Sequence, residues 1–246
     1  MRSRLDVEMT RRGLTESRQL AQRLIMAGRV RVNSQPAAKP DHKVDETADI
    51  TVVGQTREYA SRGAYKLIAA LDHFRIDPTG RLVLDIGAST GGFTDVLLKR
   101  GARHVIALDV GYGQLAEHLR VDTRVTVMDR TNIRHVQPDH LPYRPNLIVI
   151  DASFISLKLV LPAAIALADR PTDLIALVKP QFEVGKNQVG KGGIVRDAAL
   201  REAALQDVIT ASQNLGLEYR GHIESPITGA SGNHEYLLWL VVPLEA

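Results

Sequence analysis

The chain contains no cysteine, so neither a disulfide framework nor a thiolate metal site is open to it. Its 8 histidines fall at no metal-ligand spacing, and no catalytic metal is expected. Long apolar runs are missing too. The longest, Leu159 to Ala168, includes Pro162 and is far too short for a bilayer. The N-terminus lacks the apolar stretch of a secretory signal. These absences point to a cytoplasmic protein with no membrane partner, and a hydrophobic content of 44% suffices for a large core.

What is present is unevenly spread. The net charge of +3 hides a basic head: residues 1–31 hold 8 Lys+Arg, all arginine, against 3 Asp+Glu, whereas residues 63–246 hold 19 against 20. A basic module on a near-neutral body suggests that one part grips a polyanion while another does something else. With 246 residues there is room for one α/β domain and a small appendage.

The head reads as two short helices and a small set of strands. Thr15 or Ser17 can cap a helix running to Ala27, and Gly28 ends it. Leu20, Leu24 and Ile25 give that helix an apolar stripe and leave Arg18 and Arg23 facing outward. Val30-Arg31-Val32 alternates before an Asn33-Ser34 turn, and Ile50-Thr51-Val52-Val53 reads as a closing strand. The set Arg4-Leu5-Asp6, Gly13-Leu14-Thr15-Glu16-Ser17-Arg18, Leu24-Ile25, Gly28 to Asn33 and Lys39-Pro40 closely resembles the RNA-binding module first known from ribosomal small-subunit protein S-four. The resemblance implies phosphate contacts on structured RNA, with Arg4, Arg11, Arg18, Arg23, Arg29 and Arg31 as candidates. This module is expected over 1–53, a polar linker over 54–60, and a second domain over 61–246.

From Ser61 the pattern becomes helical and then alternates. Strands are expected near 82–86, 104–109, 124–128, 146–151, 173–178, 217–224 and 235–242, mostly separated by helices. The first, Leu82-Val83-Leu84-Asp85-Ile86, runs into Gly87-Ala88-Ser89-Thr90-Gly91-Gly92-Phe93, the way a buried parallel strand enters a nucleotide-type pocket. Gly87, Gly91 and Gly92 are read as letting the main chain approach a ligand. The dinucleotide fingerprint G-x-G-x-x-G fails, since Ser89 stands at its second glycine, which argues against a diphosphate. The second strand ends in Asp109, spaced to accept from ribose hydroxyls, followed by Val110 and Gln114; the third ends at Asp129-Arg130, whose acid could receive an adenine amino group. The spacing D-x-G-x-x-x-G-G resembles the first motif of class I methyltransferases. That implies an α/β, Rossmann-like sheet of seven strands with the last one reversed, and S-adenosylmethionine rather than a nicotinamide dinucleotide. Asp85, Gly87, Ser89, Gly91, Gly92, Phe93, Asp109, Val110, Gln114, Asp129, Arg130 and Asp151 form the cofactor set, although Phe93, like Trp239, also reads as core.

The fourth strand ends in Asp151 and the fifth in Lys179. A lysine behind an apolar strand is costly unless it sits at the mouth beside a carboxylate, which adjacent parallel strands would provide. Glu235 heads the last strand, and Lys66 opens the helix before the first. Together Lys66, Asp151, Lys179 and Glu235 resemble the K-D-K-E tetrad of ribose 2′-O-methyltransferases related to FtsJ. With the basic head, the chain is similar along nearly its whole length to the TlyA family, ribosomal-RNA cytidine 2′-O-methyltransferases that also carry the name haemolysin. The resemblance implies methylation of a cytidine ribose in ribosomal RNA, free or in subunits, with 23S read ahead of 16S and 23S together. Lys179 is then the base, Asp151 and Glu235 orient the lysines, and Lys66 fixes the attacking oxygen or the ribose.

Val184 to Gly192 is a glycine-rich basic loop, read either as a flap ordering over RNA through Lys186 and Lys191 or as an untethered surface loop. Arg62, beside Lys66, could also meet RNA. Two other functions stand beside the enzyme: a membrane-damaging cytolysin, for which no amphipathic or spanning segment stands out, and a non-catalytic ribosome assembly factor.

Overall fold

The computed structural model describes residues 2–15, 17–45, 47–53, 58–229 and 231–244, without the side chain of Lys186. Two compact units divide the chain, Met1–Glu58 and Tyr59–Ala246. Residues 54–57 of the expected linker lie outside the described residues, and Tyr59 and Ala60 belong to the second unit.

The first unit comprises β1 (Ser3–Arg4), α1 (Leu5–Arg11), α2 (Arg18–Met26), β2 (Val30–Val32), β3 (Gln35–Pro36), β4 (Lys43–Val44) and β5 (Ile50–Val52). β2 lies between β3 and β5, and β1 pairs with β4. Asn33 and Ser34, at φ of 48° and 67°, make the two-residue turn between β2 and β3. Ser17, rather than Thr15, caps α2 by accepting from the Leu20 N–H at 3.2 Å. The buried side of α2 is Ala21 and Ile25, which join Leu5 and Met9 of α1 in one cluster; Leu20 and Leu24 are only half-buried.

Arg18 and Arg23 are exposed as expected, but Arg18 also has a partner inside the module. Asp6 and Glu8 are buried in α1, and carboxylates removed from water recruit the nearest cations. Asp6 takes Arg4 at 3.0 Å and Arg18 at 2.8 Å, while Glu8 takes Arg11 at 2.5 Å and Arg12 at 2.6 Å. Burial opposes ionisation of Asp6, yet hydrogen bonds from Arg4, Gln22 and Arg18 hold it well below the usual carboxylate range. The hydrogen bond from Arg11 does most to hold Glu8 there. Arg4, Arg11 and Arg18 thus have partners inside the module. Arg23, Arg29 and Arg31 are exposed and, among the described residues, their side chains carry no ion pair.

The second unit is built on one sheet. In chain order it has α3 (Ala64–Phe74), β6 (Leu82–Ile86), α4 (Gly92–Lys99), β7 (His104–Leu108), α5 (Glu117–Arg120), β8 (Val125–Met128), β9 (Leu147–Ile150), α6 (Leu157–Leu167), β10 (Thr172–Val178), α7 (Pro180–Glu183), α8 (Ala198–Asn214), β11 (Glu218–Glu224) and β12 (Tyr236–Val242). The strands lie in the order β11-β12-β10-β9-β6-β7-β8, and only β12 runs against the rest. The seven strands with the last one reversed are those expected of the class I sheet.

The central strands read as unbroken apolar runs because helices cover both faces. Leu84, Ile86, Ile148 and Ile150 pack in one cluster with Val160 and Leu161 of α6 and Leu205 and Val208 of α8. Val83, Leu147 and Val149 pack on the other face with Leu67 and Leu71 of α3. Trp239 is half-buried, with its ring tilted against that of Phe74, and donates from Nε1 to Asp173 at 3.0 Å. Among the described residues no helix is long and apolar enough to cross a membrane.

Candidate active site

The chain leaves β6 toward β7 and β8, then returns to lay β9 and β10 on the other side. Sheets of this winding open a crevice at the strands' carboxyl ends where the direction reverses, here between β6 and β9. Gly87 follows β6 at φ 87°, and a Cβ built on it would stand 2.6 Å from the Asp151 carbonyl oxygen. Glycine is needed for the left-handed backbone and for the closeness of the loop after β9. Gly87→Ala is expected to cost about 3 kcal/mol or more, a left-handed penalty of about 1–2 kcal/mol plus displacement of main chain. Urea unfolding measures it; a loss below about 1 kcal/mol would mean that the two loops separate freely.

Gly91 and Gly92 are closely packed and are not among the residues lining this crevice. A Cβ on Gly91 would meet Leu119 at 2.3 Å, and one on Gly92 would meet the Ser61 hydroxyl at 2.1 Å. Phe93 is buried in the core and does not line the cleft. All three sit in the same turn as Gly87, so local sequence could not separate them.

The cleft encloses about 870 Å³. Gly87, Ser89, Asp109, Val110, Gln114 and Asp151 line it, together with Thr131 to Arg134 and Ala152 to Ser156. Asp109 accepts from the Ser89 N–H at 2.8 Å and the Gly111 N–H at 2.7 Å, and the Ser89 hydroxyl meets Gln114 Oε1 at 3.2 Å. Asp129 and Arg130 do not line it. Asp129 is bound to the Gly113 N–H at 3.0 Å and to Arg120 at 3.1 Å, which holds its carboxyl below the usual range. The Arg130 guanidinium lies over the Tyr112 ring at 4.1 Å. Thr131 and Asn132, next along the chain beyond Arg130 at φ 54°, line the cleft.

Asp85 stands behind the cleft wall, wholly buried. Its Oδ2 accepts from the Thr94 hydroxyl at 2.6 Å, and its Oδ1 has no hydrogen-bond partner among the described residues. Burial pushes its carboxyl up to about 7, and the charges of Asp151 and Asp109 add to that. Three acids around an unpartnered oxygen suit a cationic ligand.

At the same edge two ion pairs converge. Lys66, on the buried face of α3, donates to Glu235 Oε2 at 2.5 Å. Lys179, 7% exposed, lies 2.6 Å from Asp151 Oδ1 and donates to the Ser153 hydroxyl at 2.8 Å. The register pairs Val178 with Tyr236, so one further step sets Lys179 level with Glu235. Two residues that sequence reasoning missed complete the group. Gln181 reaches Glu235 at 3.5 Å, and Gly229 leaves room for its carboxylate, since a Cβ there would lie 2.4 Å from Oε1. Buried ion pairs are poor stabilisers for their desolvation cost, and two at one rim point to chemistry.

The loop after β10 is tethered at its far end. Asn233, buried two residues before Glu235, donates to the Gly193 carbonyl at 2.8 Å and accepts from the Val195 N–H at 3.0 Å. Lys191 and Arg62 are exposed; the side chain of Lys186 lies outside the described residues. Phe154 lies at the rim, 90% exposed at φ 63°, with its ring 5.2 Å from that of Phe182. Glu183 ties these segments together by accepting from the Ser156 hydroxyl at 2.6 Å and the Leu157 N–H at 2.8 Å.

Comparison with known proteins bears on both units. Residues 59–241 match the FtsJ-like methyltransferase family, and residues 3–50 match the S-four domain. A Mycobacterium tuberculosis protein named 16S/23S rRNA (cytidine-2′-O)-methyltransferase TlyA is 54% identical over 97% of this chain and 90% of its own length. Hemolysin A of Brachyspira hyodysenteriae is 42% identical over 97% of this chain and 100% of its own. A solved structure from Streptococcus thermophilus, provisionally named a hemolysin, superposes with a TM-score of 0.83 at 41% identity, covering 98% of this chain and 88% of that one.

Proposed function

Because the chain belongs to the TlyA family, an FtsJ-like methyltransferase domain joined to an S-four domain, we propose that it methylates the ribose 2′-hydroxyl of a cytidine in ribosomal RNA. The observation that carries this reading is the pair of buried ion pairs, Lys66 with Glu235 and Lys179 with Asp151, at the mouth of the switch-point cleft. A cytoplasmic location follows from that substrate.

S-adenosylmethionine is the methyl donor, and when bound it supplies an electrophilic methyl group on a sulfonium centre. The residues fit it. Asp85, with its unpartnered oxygen, Asp109 and Asp151 offer negative charge to a ligand with an ammonium and a sulfonium. Asp109 has acceptors for ribose hydroxyls, and Ser89, Val110 and Gln114 line the same cleft.

A ribose hydroxyl is a poor nucleophile and must lose its proton as it attacks. Lys179 is the base, and Asp151 compensates the ammonium formed. Lys66, held by Glu235, fixes the attacking oxygen or the ribose. Much of the rate comes from holding oxygen and methyl carbon in line. Phe154 offers an aromatic face to the base of a nucleotide drawn out of its stack. The first unit supplies affinity through phosphates, from Arg23, Arg29 and Arg31 ahead of the internally paired arginines.

Mapping ribose methylation after incubation of ribosomal subunits with labelled cofactor tests the reading. A single labelled cytidine in 23S rRNA is expected, and the 16S arm of the same assay decides whether one or both RNAs are substrates. No label in ribose, with cofactor binding intact, would end the reading. Release of dye from liposomes by the pure protein would favour the cytolysin instead. Replacing Arg23, Arg29 and Arg31 with glutamine should weaken RNA binding and flatten its logarithmic salt dependence by about 2–3. An unchanged slope would exclude these three from the RNA surface.

A further inference from the structure

We propose that the Ser153 hydroxyl is the first acceptor of the ribose proton and hands its own proton to Lys179, so that the lysine acts on the substrate through the serine. This rests on the methyltransfer reading above.

Ser153 and Asp151 line the cleft and Ser153 is exposed, whereas Lys179 is only 7% exposed. The serine oxygen is thus the more open of the two groups to a hydroxyl arriving at this rim. Lys179 Nζ donates a hydrogen bond to Ser153 Oγ at 2.8 Å. Its 2.6 Å contact with Asp151 Oδ1 is ionic and lies off the hydrogen-bonding directions. Ser153 thus holds the directional contact to the amine and is itself exposed, next to the rim aromatic Phe154.

The chemistry suits a hydroxyl at this position. Serine has one proton to donate and two lone pairs, so it can accept from the ribose hydroxyl while donating to a neutral lysine. As the ribose oxygen forms its bond to the methyl carbon, the bond from that carbon to sulfur breaks and leaves its electron pair on sulfur. The ribose proton passes to Ser153 Oγ, and the serine proton passes to Lys179 Nζ. Serine ends as it began, and the ammonium ends beside Asp151. That final state has the donor sense seen here, with Lys179 donating to Ser153, and loss of one proton to water resets it.

The test is single-turnover methylation of ribosomal RNA by the full chain, comparing wild type with Ser153→Ala and Ser153→Thr. The alanine variant should lose about 10²-fold in rate, the usual yield of one general acid–base contact, with cofactor affinity kept. Threonine, which retains the hydroxyl, should restore most of it. In mixtures of light and heavy water the wild-type rate should curve with deuterium content, because two protons are in flight, and the alanine variant should fall on a straight line. An alanine variant within about threefold of wild type overturns the relay. So does a slowed variant whose deuterium dependence matches wild type, since a serine that merely holds the lysine would leave that dependence alone. A wild type that transfers no methyl to ribose sinks the activity itself, and the relay with it, before any variant is compared.

Discussion

Lys179→Ala should lower the single-turnover rate of ribose methylation by about 10³-fold, within the span attributed to a positioned acid–base group. Cofactor affinity and fold should survive. Asp151 keeps contact with solvent through a side chain that is 23% exposed, so loss of its partner does not strand a fully buried charge. Lys179→Arg should not rescue the rate, because a guanidinium stays charged and cannot take a proton. Tritium transfer to ribosomal subunits under enzyme excess measures the effect. A residual rate within tenfold of wild type, about 1.4 kcal/mol, would remove Lys179 from the chemistry.

Asp85→Asn should separate stability from cofactor binding. Burial lifts the Asp85 carboxyl from its ordinary range near 4 to about 7, a difference of about 4 kcal/mol. The sign follows from proton counts. Between about pH 4 and 7 the folded protein binds this proton and the unfolded chain does not, so rising pH favours unfolding. Above about pH 7 the whole penalty is in force, and below about pH 4 it vanishes. An asparagine is never charged. The variant should therefore be more stable than wild type at pH 8 by about 2 kcal/mol, after allowing about 1–3 kcal/mol for an amide hydrogen left without a partner. Its advantage should shrink as pH falls through 7 toward 4. Cofactor affinity should move the opposite way: wild type should bind S-adenosylmethionine more tightly as pH rises through about 7, and the variant should bind weakly without that dependence. Urea unfolding without cofactor and calorimetric titration at pH 5.5 and 8 measure both. A variant that is no more stable at pH 8 would show that Asp85 is solvated after all.

The strands were readable because their signal is local. Each central strand is a short apolar run closed by an acid, a glycine or a lysine, and every expected span lies within one residue of the observed one at either end. Asp151, Lys179 and Glu235 were singled out for the same reason, as polar side chains standing where an apolar run starts or stops, whereas Lys66 came only from the tetrad resemblance. Residue type and spacing along the chain also sufficed for the Asn33-Ser34 turn, since asparagine tolerates the left-handed backbone that a two-residue hairpin demands.

Direction and partnership were not readable in that way. Gly87, Gly91 and Gly92 look alike in one turn, yet only the first faces the cleft, because helix packing brings Leu119 and Ser61 against the other two. Six arginines looked free to grip RNA, but α1 turns Asp6 and Glu8 inward, and buried carboxylates claim Arg4, Arg11 and Arg18. Lys66 meets Glu235 across 169 positions, and Lys179 meets Ser153 across 26. Such contacts depend on strand order and on the reversal of β12. Backbone periodicity comes from neighbours along the chain, whereas a side chain's partner comes from whatever the sheet brings beside it.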